Sequence, residues 1–344
     1  MLTKEQFHKK IADGLFLLDG ATGSNLMKAG MPRGVPTELW VMEHPEALQA
    51  LQRAYVEAGS QILYAPTFQA QPIALAAQGL ANKTEEINAR LVALTRSVSP
   101  DVLVAGNLTT LAAFTDSFDP GNFDLLVENY RRQIRGLIDG GADVLAAETL
   151  MYPQEAEAIL TAAELEGAGA AMYTFTMQPD GSLFSGMPAG PILKNLEEMG
   201  AAAVGFNCVA ADSMTAGLVS KLRRYTKGPL ICKPNAGNPV IGEDRLPHYP
   251  MEKEEFAAII ADCIQLGATL VGGCCGTAPE YIAALKKYYR FIAQAGTHCA
   301  GFFTHLQEQN LRFKIVFLPN VSFSAIILPL WIKDYIFMSA AKAC

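Results

Sequence analysis

The residues of this chain that could do chemistry are most concentrated at positions 272–277, which read GGCCGT. Two adjacent cysteines, Cys274 and Cys275, do not bridge to each other without strain, because a disulfide has demanding geometry. The glycines on both sides let the backbone turn sharply and leave room for a ligand to approach. This run therefore indicates a metal held by thiolates, with its other ligands elsewhere in the chain.

The elements that must position this run repeat along the chain. Short apolar segments alternate with longer segments of helical period, and the alternation occurs about eight times. The predicted strands are residues 15–19, 61–65, 102–106, 144–148, 171–175, 203–207, 230–234 and 269–272. The predicted helices are residues 45–58, 84–98, 122–139, 153–165, 191–199, 213–225, 253–266 and 279–291.

Eight strand–helix units predict the α/β class and a (β/α)8 TIM barrel. A doubly wound open sheet is the alternative, but its glycine-rich dinucleotide fingerprint is missing after the first strand. The pattern breaks down near Gly296, so we expect a barrel over residues 10–295 and an irregular C-terminal tail over residues 296–344. A packing element, an oligomer contact and an anomalous terminus are all open as roles for the tail.

Composition limits which kinds of partner and which cellular compartment we expect for this chain. The 344 residues are 50% hydrophobic and 18% charged, with a net charge of -7, which argues against a nucleic-acid partner. No run of 18 apolar residues is present, so we expect no membrane span. Seven cysteines without a secretory leader are typical of a reducing cytoplasm, where thiols serve metals or catalysis.

A third cysteine joins the pair when the strand ends are compared. In this type of barrel the active site lies where strands end, and Cys208 follows the sixth predicted strand as Cys274 and Cys275 follow the eighth. One strand separates them, so their ends are about 10 Å apart. Three thiolates with one open position suit a catalytic zinc. Because zinc deprotonates a thiol whose ordinary pKa is about 8.5, the site predicts activation of a thiol nucleophile.

Core packing is the alternative interpretation of any one cysteine, since the free side chain behaves as a small hydrophobe. We assign Cys232, in the middle of a strand, and Cys263, on an apolar helix face, to the core. Cys299 and Cys344 lie in the predicted tail. The position of the other three cysteines on one rim favours a metal site.

The same residues carry a family resemblance. Positions 19–23 (DGATG), 205–208 (GFNC) and 272–277 (GGCCGT) resemble the homocysteine S-methyltransferase domain, and the resemblance covers about residues 10 to 290. Residues 53–59 (RAYVEAG) look closest to the homocysteine-binding domain of cobalamin-dependent methionine synthase. The resemblance implies that Cys208, Cys274 and Cys275 bind zinc and that the zinc binds the sulfur of homocysteine.

Further substrate-binding residues follow from this resemblance. Glu148 matches a glutamate that binds the amino group of the substrate, and a carboxylate at a strand end suits an ammonium. Asp19 is a candidate second contact to the amino-acid portion, and Asn235 matches an asparagine near the metal. The structural alternatives are a buried ion pair or a solvated rim charge for Glu148, a loop role for Asp19 and a turn role for Asn235.

The resemblance implies methyl transfer to the thiol of homocysteine, giving methionine, but it leaves the donor open. Residues 65–68 (APTF) and 106–109 (GNLT) depart from the family pattern in loops that a donor would approach. The candidates are methylcobalamin on a separate corrinoid protein, S-methylmethionine, S-adenosylmethionine and a betaine-like compound. Alternative functions are a zinc- or thiol-binding barrel without methyl transfer, transfer to another thiol, and a metallohydrolase.

Overall fold

The computed structural model describes residues 1–12, 14–242 and 247–289, together with the backbone of three later strands, Phe313–Phe317, Ser324–Pro329 and Ile336–Ser339. The chain divides into two compact units, Met1–Lys286 and Lys287–Cys344. The predicted boundary at residue 295 lies outside the described residues, as does the end of the predicted helix 279–291.

Eight strands form one sheet in the first unit. They are β1 Phe16–Leu17, β2 Ile62–Tyr64, β3 Leu103–Thr109, β4 Val144–Leu150, β5 Ala171–Phe175, β6 Ala203–Ala210, β7 Leu230–Asn235 and β8 Leu270–Val271. Paired neighbours are parallel, in the order β1-β8-β7-β6-β5-β4-β3-β2. At the seam between β1 and β2, Gln61 N donates to Leu17 O at 2.8 Å, and Leu17 N donates to Gln61 Oε1 at 2.9 Å. This nearly closed barrel confirms the predicted (β/α)8 fold.

Long helices alternate with the strands and cover the outside of the barrel. They are Pro45–Ala58, Thr84–Arg96, Phe123–Asp139, Pro153–Leu165, Ala189–Glu198, Thr215–Arg223, Lys253–Gln265 and residues 279–289. Four shorter α-helices of five to seven residues were not predicted, because so few residues show no clear hydrophobic period. They are Lys4–Lys10, Gly23–Lys28, Thr37–Glu43 and Pro72–Ala76. Two 3₁₀ turns are Ala81–Lys83 and Pro120–Asn122.

Buried apolar side chains from all eight strands or their ends fill the barrel. They pack in one cluster that includes Phe16, Leu18, Ile62, Tyr64, Ala105, Val144, Met172, Ala203, Ile231 and Leu270. Strands of a parallel barrel are buried on both faces, so they are continuous apolar runs in the sequence. Phe7 of the helix Lys4–Lys10 joins the cluster with Ala170 and Ala202, which precede β5 and β6. The amino-terminal end of the barrel is therefore closed, and the opposite end is left for chemistry.

Other described elements are small. A two-stranded antiparallel hairpin, Val240–Ile241 with Pro247–His248, lies in the connection from β7 to β8. In the second unit, the three described strands form an antiparallel sheet in chain order, and its described residues contain no strand–helix unit. Within the described part of the chain, no helix has the length and apolar character needed to cross a membrane.

Candidate metal centre

The three cysteines predicted to share a rim come together at the carboxyl ends of the strands. The Sγ atoms of Cys208 and Cys275 lie 3.9 Å apart, and those two and the Cys274 sulfur all lie within 4.8 Å of one another. Two sulfurs that bind one tetrahedral zinc at about 2.3 Å are about 3.8 Å apart. The donor set therefore fits a zinc ion through three thiolates.

The backbone of β6 is irregular at Cys208. The strand runs to Ala210, three residues beyond the predicted end at Asn207. Its register against β7 shifts between Asn207 and Ala210, and Cys208 has a backbone φ of 56°. Bulges of this kind turn a side chain away from the regular alternation of a strand. Here the irregular backbone accompanies a sulfur that lies beside the cysteine pair.

Backbone hydrogen bonds hold the cysteine pair against the end of β7. Cys274 N donates to Pro234 O at 2.7 Å. Cys275 N donates to Asn235 Oδ1 at 3.0 Å, and Ala236 N donates to Cys275 O at 2.9 Å. Asn235 thus lies beside the sulfur cluster, with its side-chain oxygen engaged in orienting Cys275.

Two of the glycines beside the pair are required by space. A Cβ added at Gly273 would lie 2.3 Å from Thr277 Oγ1, and one at Gly276 would lie 2.3 Å from Tyr249 Cβ. Gly276 also has a φ of +80°, which favours glycine. The GGCCGT run therefore needs its small residues because neighbouring side chains pack directly on its backbone.

Hydrogen bonds between the three thiols shift their pKa values in opposite directions. Contacts with Cys208 and Cys274 lower the pKa of Cys275 to about 3, and contacts with its two neighbours raise the pKa of Cys208. The hydroxyl of Tyr249 also hydrogen bonds to Cys275, and burial followed by that sulfur's charge raises the pKa of Tyr249. The lowered pKa of Cys275 favours metal capture, because a metal binds the thiolate form of cysteine.

A buried charged group lies beside the sulfurs. Lys233 Nζ is 3.2 Å from Glu148 Oε2 and 3.9 Å from Asp19 Oδ1, and it sits 4.5 Å from the centre of the Tyr64 ring. The other oxygen of Glu148 accepts a hydrogen bond from Asn107 Nδ2 at 2.9 Å. One buried ammonium is thus shared between two buried carboxylates.

Burial dominates the acidity of both carboxylates. It raises the pKa of Asp19 to about 7 and also raises the pKa of Glu148. Burial lowers the pKa of Lys233, but Glu148 and Asp19 more than offset this, and the pKa lies well above its ordinary value. Asp19 Oδ1 has no hydrogen-bond partner among the described residues. When both carboxylates are ionised, the group therefore has one negative charge left to accept a second cation.

Asn207 joins this charged group to the sulfur cluster. Its Nδ2 lies 3.4 Å from Glu148 Oε2 and 3.8 Å from Cys274 Sγ. The predicted substrate residues Glu148 and Asp19 and the three predicted cysteines therefore belong to one site. The sequence predicts no role for Lys233, or for Asn207 of the GFNC motif, although a lysine within the apolar strand 230–234 is a signal that a buried partner exists.

Two described cysteines lie outside the sulfur cluster. Cys232 and Cys263 are fully buried, as expected of core residues.

The departure from the family pattern at Asn107 is predicted to concern the donor. Instead, the Asn107 side chain donates a hydrogen bond to Glu148, and the Asn107 backbone exchanges hydrogen bonds with the side chain of Thr67. This departure therefore lies at the charged group.

Comparison with known proteins then decides the family. A family model described as homocysteine S-methyltransferase matches residues 16–289, which contain the barrel strands and all three cysteines. This chain belongs to the homocysteine S-methyltransferase family. The predicted resemblance, and the prediction of an S-methyltransferase, are confirmed at the level of the family.

Members of the family differ in length. The homocysteine S-methyltransferase of Escherichia coli (strain K12) is 30% identical over 298 residues, which cover 79% of this chain and 94% of that protein. The methionine synthase of Mycobacterium leprae (strain TN) is 25% identical over 349 residues, which cover 95% of this chain but only 28% of that protein. The solved structure of the Escherichia coli homocysteine methyltransferase MmuM, in a metallated form, has a TM-score of 0.70 and 27% identity, and covers 81% of this chain and 99% of its own.

Proposed function

We propose that this protein transfers a methyl group to the thiol of homocysteine, at a zinc ion held by Cys208, Cys274 and Cys275. The observation that carries the proposal is the convergence of three sulfurs within 4.8 Å, from two strand ends, in a member of this family. Bound zinc would supply a Lewis acid that keeps the substrate thiol deprotonated at neutral pH.

The residues beside the sulfurs orient the amino-acid end of the substrate. Glu148 and Asp19 receive its ammonium, because together they carry one more negative charge than Lys233 neutralises when both are ionised. Asn235 keeps Cys275 in place through the hydrogen bond from the Cys275 amide. With both ends of the substrate held, its sulfur faces the open mouth of the barrel.

The chemical step is a displacement at carbon. A lone pair of the substrate thiolate forms the new S–C bond to the methyl carbon. The bond between that carbon and the donor breaks, and its electron pair stays on the donor. The protein supplies alignment of the two reactants, which can replace much of the entropy cost of a bimolecular reaction.

For the methyl donor, we propose methylcobalamin carried on a separate corrinoid protein. Large apolar side chains stand exposed on loops that follow the barrel strands, which is the face a donor must approach. They are Phe114, Phe118, Phe184, Met214, Val240 and Ile241, exposed by 39 to 67%. The resemblance to the homocysteine-binding domain of cobalamin-dependent methionine synthase supports this donor, and these side chains are available for contact with a protein that carries it. S-methylmethionine, S-adenosylmethionine and a betaine-like compound are the alternatives.

Metal analysis tests the zinc proposal. We expect about one zinc per chain, by elemental analysis of protein purified without chelator, and its loss from the double variant Cys274→Ala/Cys275→Ala. Cys263→Ala is the matched control, because Cys263 is a buried core cysteine outside the cluster, and it should keep its metal. Full zinc content in the double variant would remove the proposed site.

Donor assays test the reaction. Zinc-loaded protein is offered homocysteine with each candidate donor, including methylcobalamin, and methionine is measured by mass spectrometry. Methionine formed with methylcobalamin and not with the sulfonium or betaine donors supports the corrinoid proposal. Thiol binding without turnover of any donor would instead favour a thiol-binding barrel.

A further inference from the structure

Two residues near the sulfur cluster have an unusual backbone. Among the non-glycine residues that the structure describes, Thr149 and Cys208 alone have a positive φ, at 58° and 56°. Threonine is branched at Cβ, so this conformation is a genuine outlier for Thr149. Such outliers persist only where surrounding contacts hold them, and they concentrate at functional sites.

The two outliers lie at matching irregularities of the barrel. The register between β4 and β5 shifts after Ala147, at Glu148 and Thr149. The register between β6 and β7 shifts after Asn207, at Cys208. One strand, β5, separates the two irregular positions. The left-handed residues therefore follow directly on Glu148, in the charged group, and on Asn207.

The side chain of Asn207, on β6, reaches across β5 to Thr149, on β4. Its Oδ1 accepts a hydrogen bond from Thr149 N at 2.7 Å, and its Nδ2 donates to Thr149 Oγ1 at 2.7 Å. The same Nδ2 lies near Glu148 Oε2 and Cys274 Sγ, at 3.4 and 3.8 Å. Asn207 is fully buried, and the amide of Thr149, which can only donate, determines which end of the Asn207 side chain is the oxygen.

We propose that Asn207 is a positioning residue that holds Thr149 in its left-handed conformation, and thereby sets the Glu148 carboxylate relative to the cysteine sulfurs. This inference rests on the proposed function, because it concerns how one substrate is held at both ends. The Asn207 side chain accepts a hydrogen bond from the Thr149 backbone N–H and donates one to the Thr149 hydroxyl, and the Glu148 side chain leaves the chain one residue earlier. Loss of Asn207 frees the Thr149 backbone. The Glu148 carboxylate then no longer contacts the ammonium group of a homocysteine whose thiol is bound at the cysteine sulfurs.

The test uses a rescue that only this role predicts. Asn207→Ala removes the amide, and Thr149→Gly removes the side chain that makes a positive φ costly. Dissociation constants are measured by calorimetry on zinc-loaded protein for homocysteine and for 4-mercaptobutyrate, which is homocysteine without its amino group. Thermal unfolding and zinc content are recorded for each variant.

We expect Asn207→Ala to weaken homocysteine binding by about tenfold or more, because the substrate ammonium loses its charge-assisted hydrogen bond to Glu148. Binding of 4-mercaptobutyrate should change much less, and zinc should be retained. Thr149→Gly alone should weaken homocysteine binding less than Asn207→Ala does, because it removes the Oγ1 that accepts from Asn207 Nδ2 but keeps the Thr149 backbone N–H that donates to Asn207 Oδ1. In the combined variant, Thr149→Gly should restore most of the lost affinity, since glycine needs no support at this φ.

Two results would overturn the inference. One is an equal loss for both thiols in Asn207→Ala, which would assign Asn207 to the sulfur cluster alone. The other is no recovery in the combined variant. If Asn207→Ala does not fold, Asn207→Ser with and without Thr149→Gly gives the same comparison. Failure of the unmodified zinc-loaded protein to bind either thiol would instead reject the proposed function.

Discussion

The sulfur atoms of Cys208 and Cys275 lie 3.9 Å apart, although 67 residues separate them in the chain. Cys208 belongs to β6 and Cys275 follows β8, so β7 runs between the two elements. The separation equals, within about 0.2 Å, that of two sulfurs on one tetrahedral zinc. The barrel therefore holds its thiolates at a spacing that a metal can use without large rearrangement.

Lys233 should be important for stability as well as for the charge of the site. Lys233→Met is expected to lower the free energy of unfolding by about 3 kcal/mol, because it leaves Glu148 buried without its cation. Adding Glu148→Gln should recover part of that loss. Urea denaturation of metal-free protein measures both effects.

The control for this variant is Lys227→Met, at an exposed lysine shortly before the same strand. Its free energy of unfolding should change by less than about 0.5 kcal/mol. If Lys233→Met were as stable as the unmodified protein, the buried ion pair would have no structural role. If Glu148→Gln made it less stable still, the two residues would not be coupled as described.

Asp19 should give the protein a pH dependence of opposite sign to that of an ordinary carboxylate. Burial raises the pKa of Asp19 from 3.8 to about 7, so between these values the folded protein holds a proton that the unfolded chain releases. The contribution of Asp19 to stability is thus fully present below pH 4 and is lost as the pH rises through 7. The expected slope is about 1.4 kcal/mol per pH unit within this window.

Comparison with Asp19→Asn isolates this effect from other carboxylates. Unfolding free energies of both proteins are measured from pH 4 to pH 8, with chelator present so that metal release does not contribute. The difference in stability should shift in favour of the asparagine variant as the pH rises. A constant difference across this range would show that Asp19 has an ordinary pKa.

Several features could be predicted from the sequence because their signals are local. The apolar runs of the eight strands are sufficient to predict the barrel. The positions of Cys208, Cys274 and Cys275 after strand ends are sufficient to predict that their sulfurs lie together. The hydrogen bonds between Asn207 and Thr149 could not be predicted, because they depend on a non-glycine residue with a positive φ. The partners of Lys233 lie 85 residues or more away, so only the fold brings them together.

Glu155 should stabilise the loop after β3, which carries exposed Phe114 on the donor-facing side. Its Oε1 accepts hydrogen bonds from Thr110 Oγ1 at 2.6 Å, Leu111 N at 2.8 Å and Ser117 Oγ at 2.8 Å. Glu155→Gln replaces one acceptor oxygen with a donor, and it should cost about 2–3 kcal/mol of unfolding free energy. The exposed Glu164 of the same helix provides the control, Glu164→Gln, which should be nearly neutral. Equal stability of the two variants would contradict the proposed role of Glu155.

X-ray absorption at the zinc edge tests the central claim most directly. Zinc-loaded protein should show three sulfur ligands and one nitrogen or oxygen ligand, since three cysteines converge and a tetrahedral ion needs a fourth partner. Adding homocysteine should replace the nitrogen or oxygen ligand with a fourth sulfur. A spectrum unchanged by saturating homocysteine would contradict the account, because the substrate sulfur would then not bind at the metal.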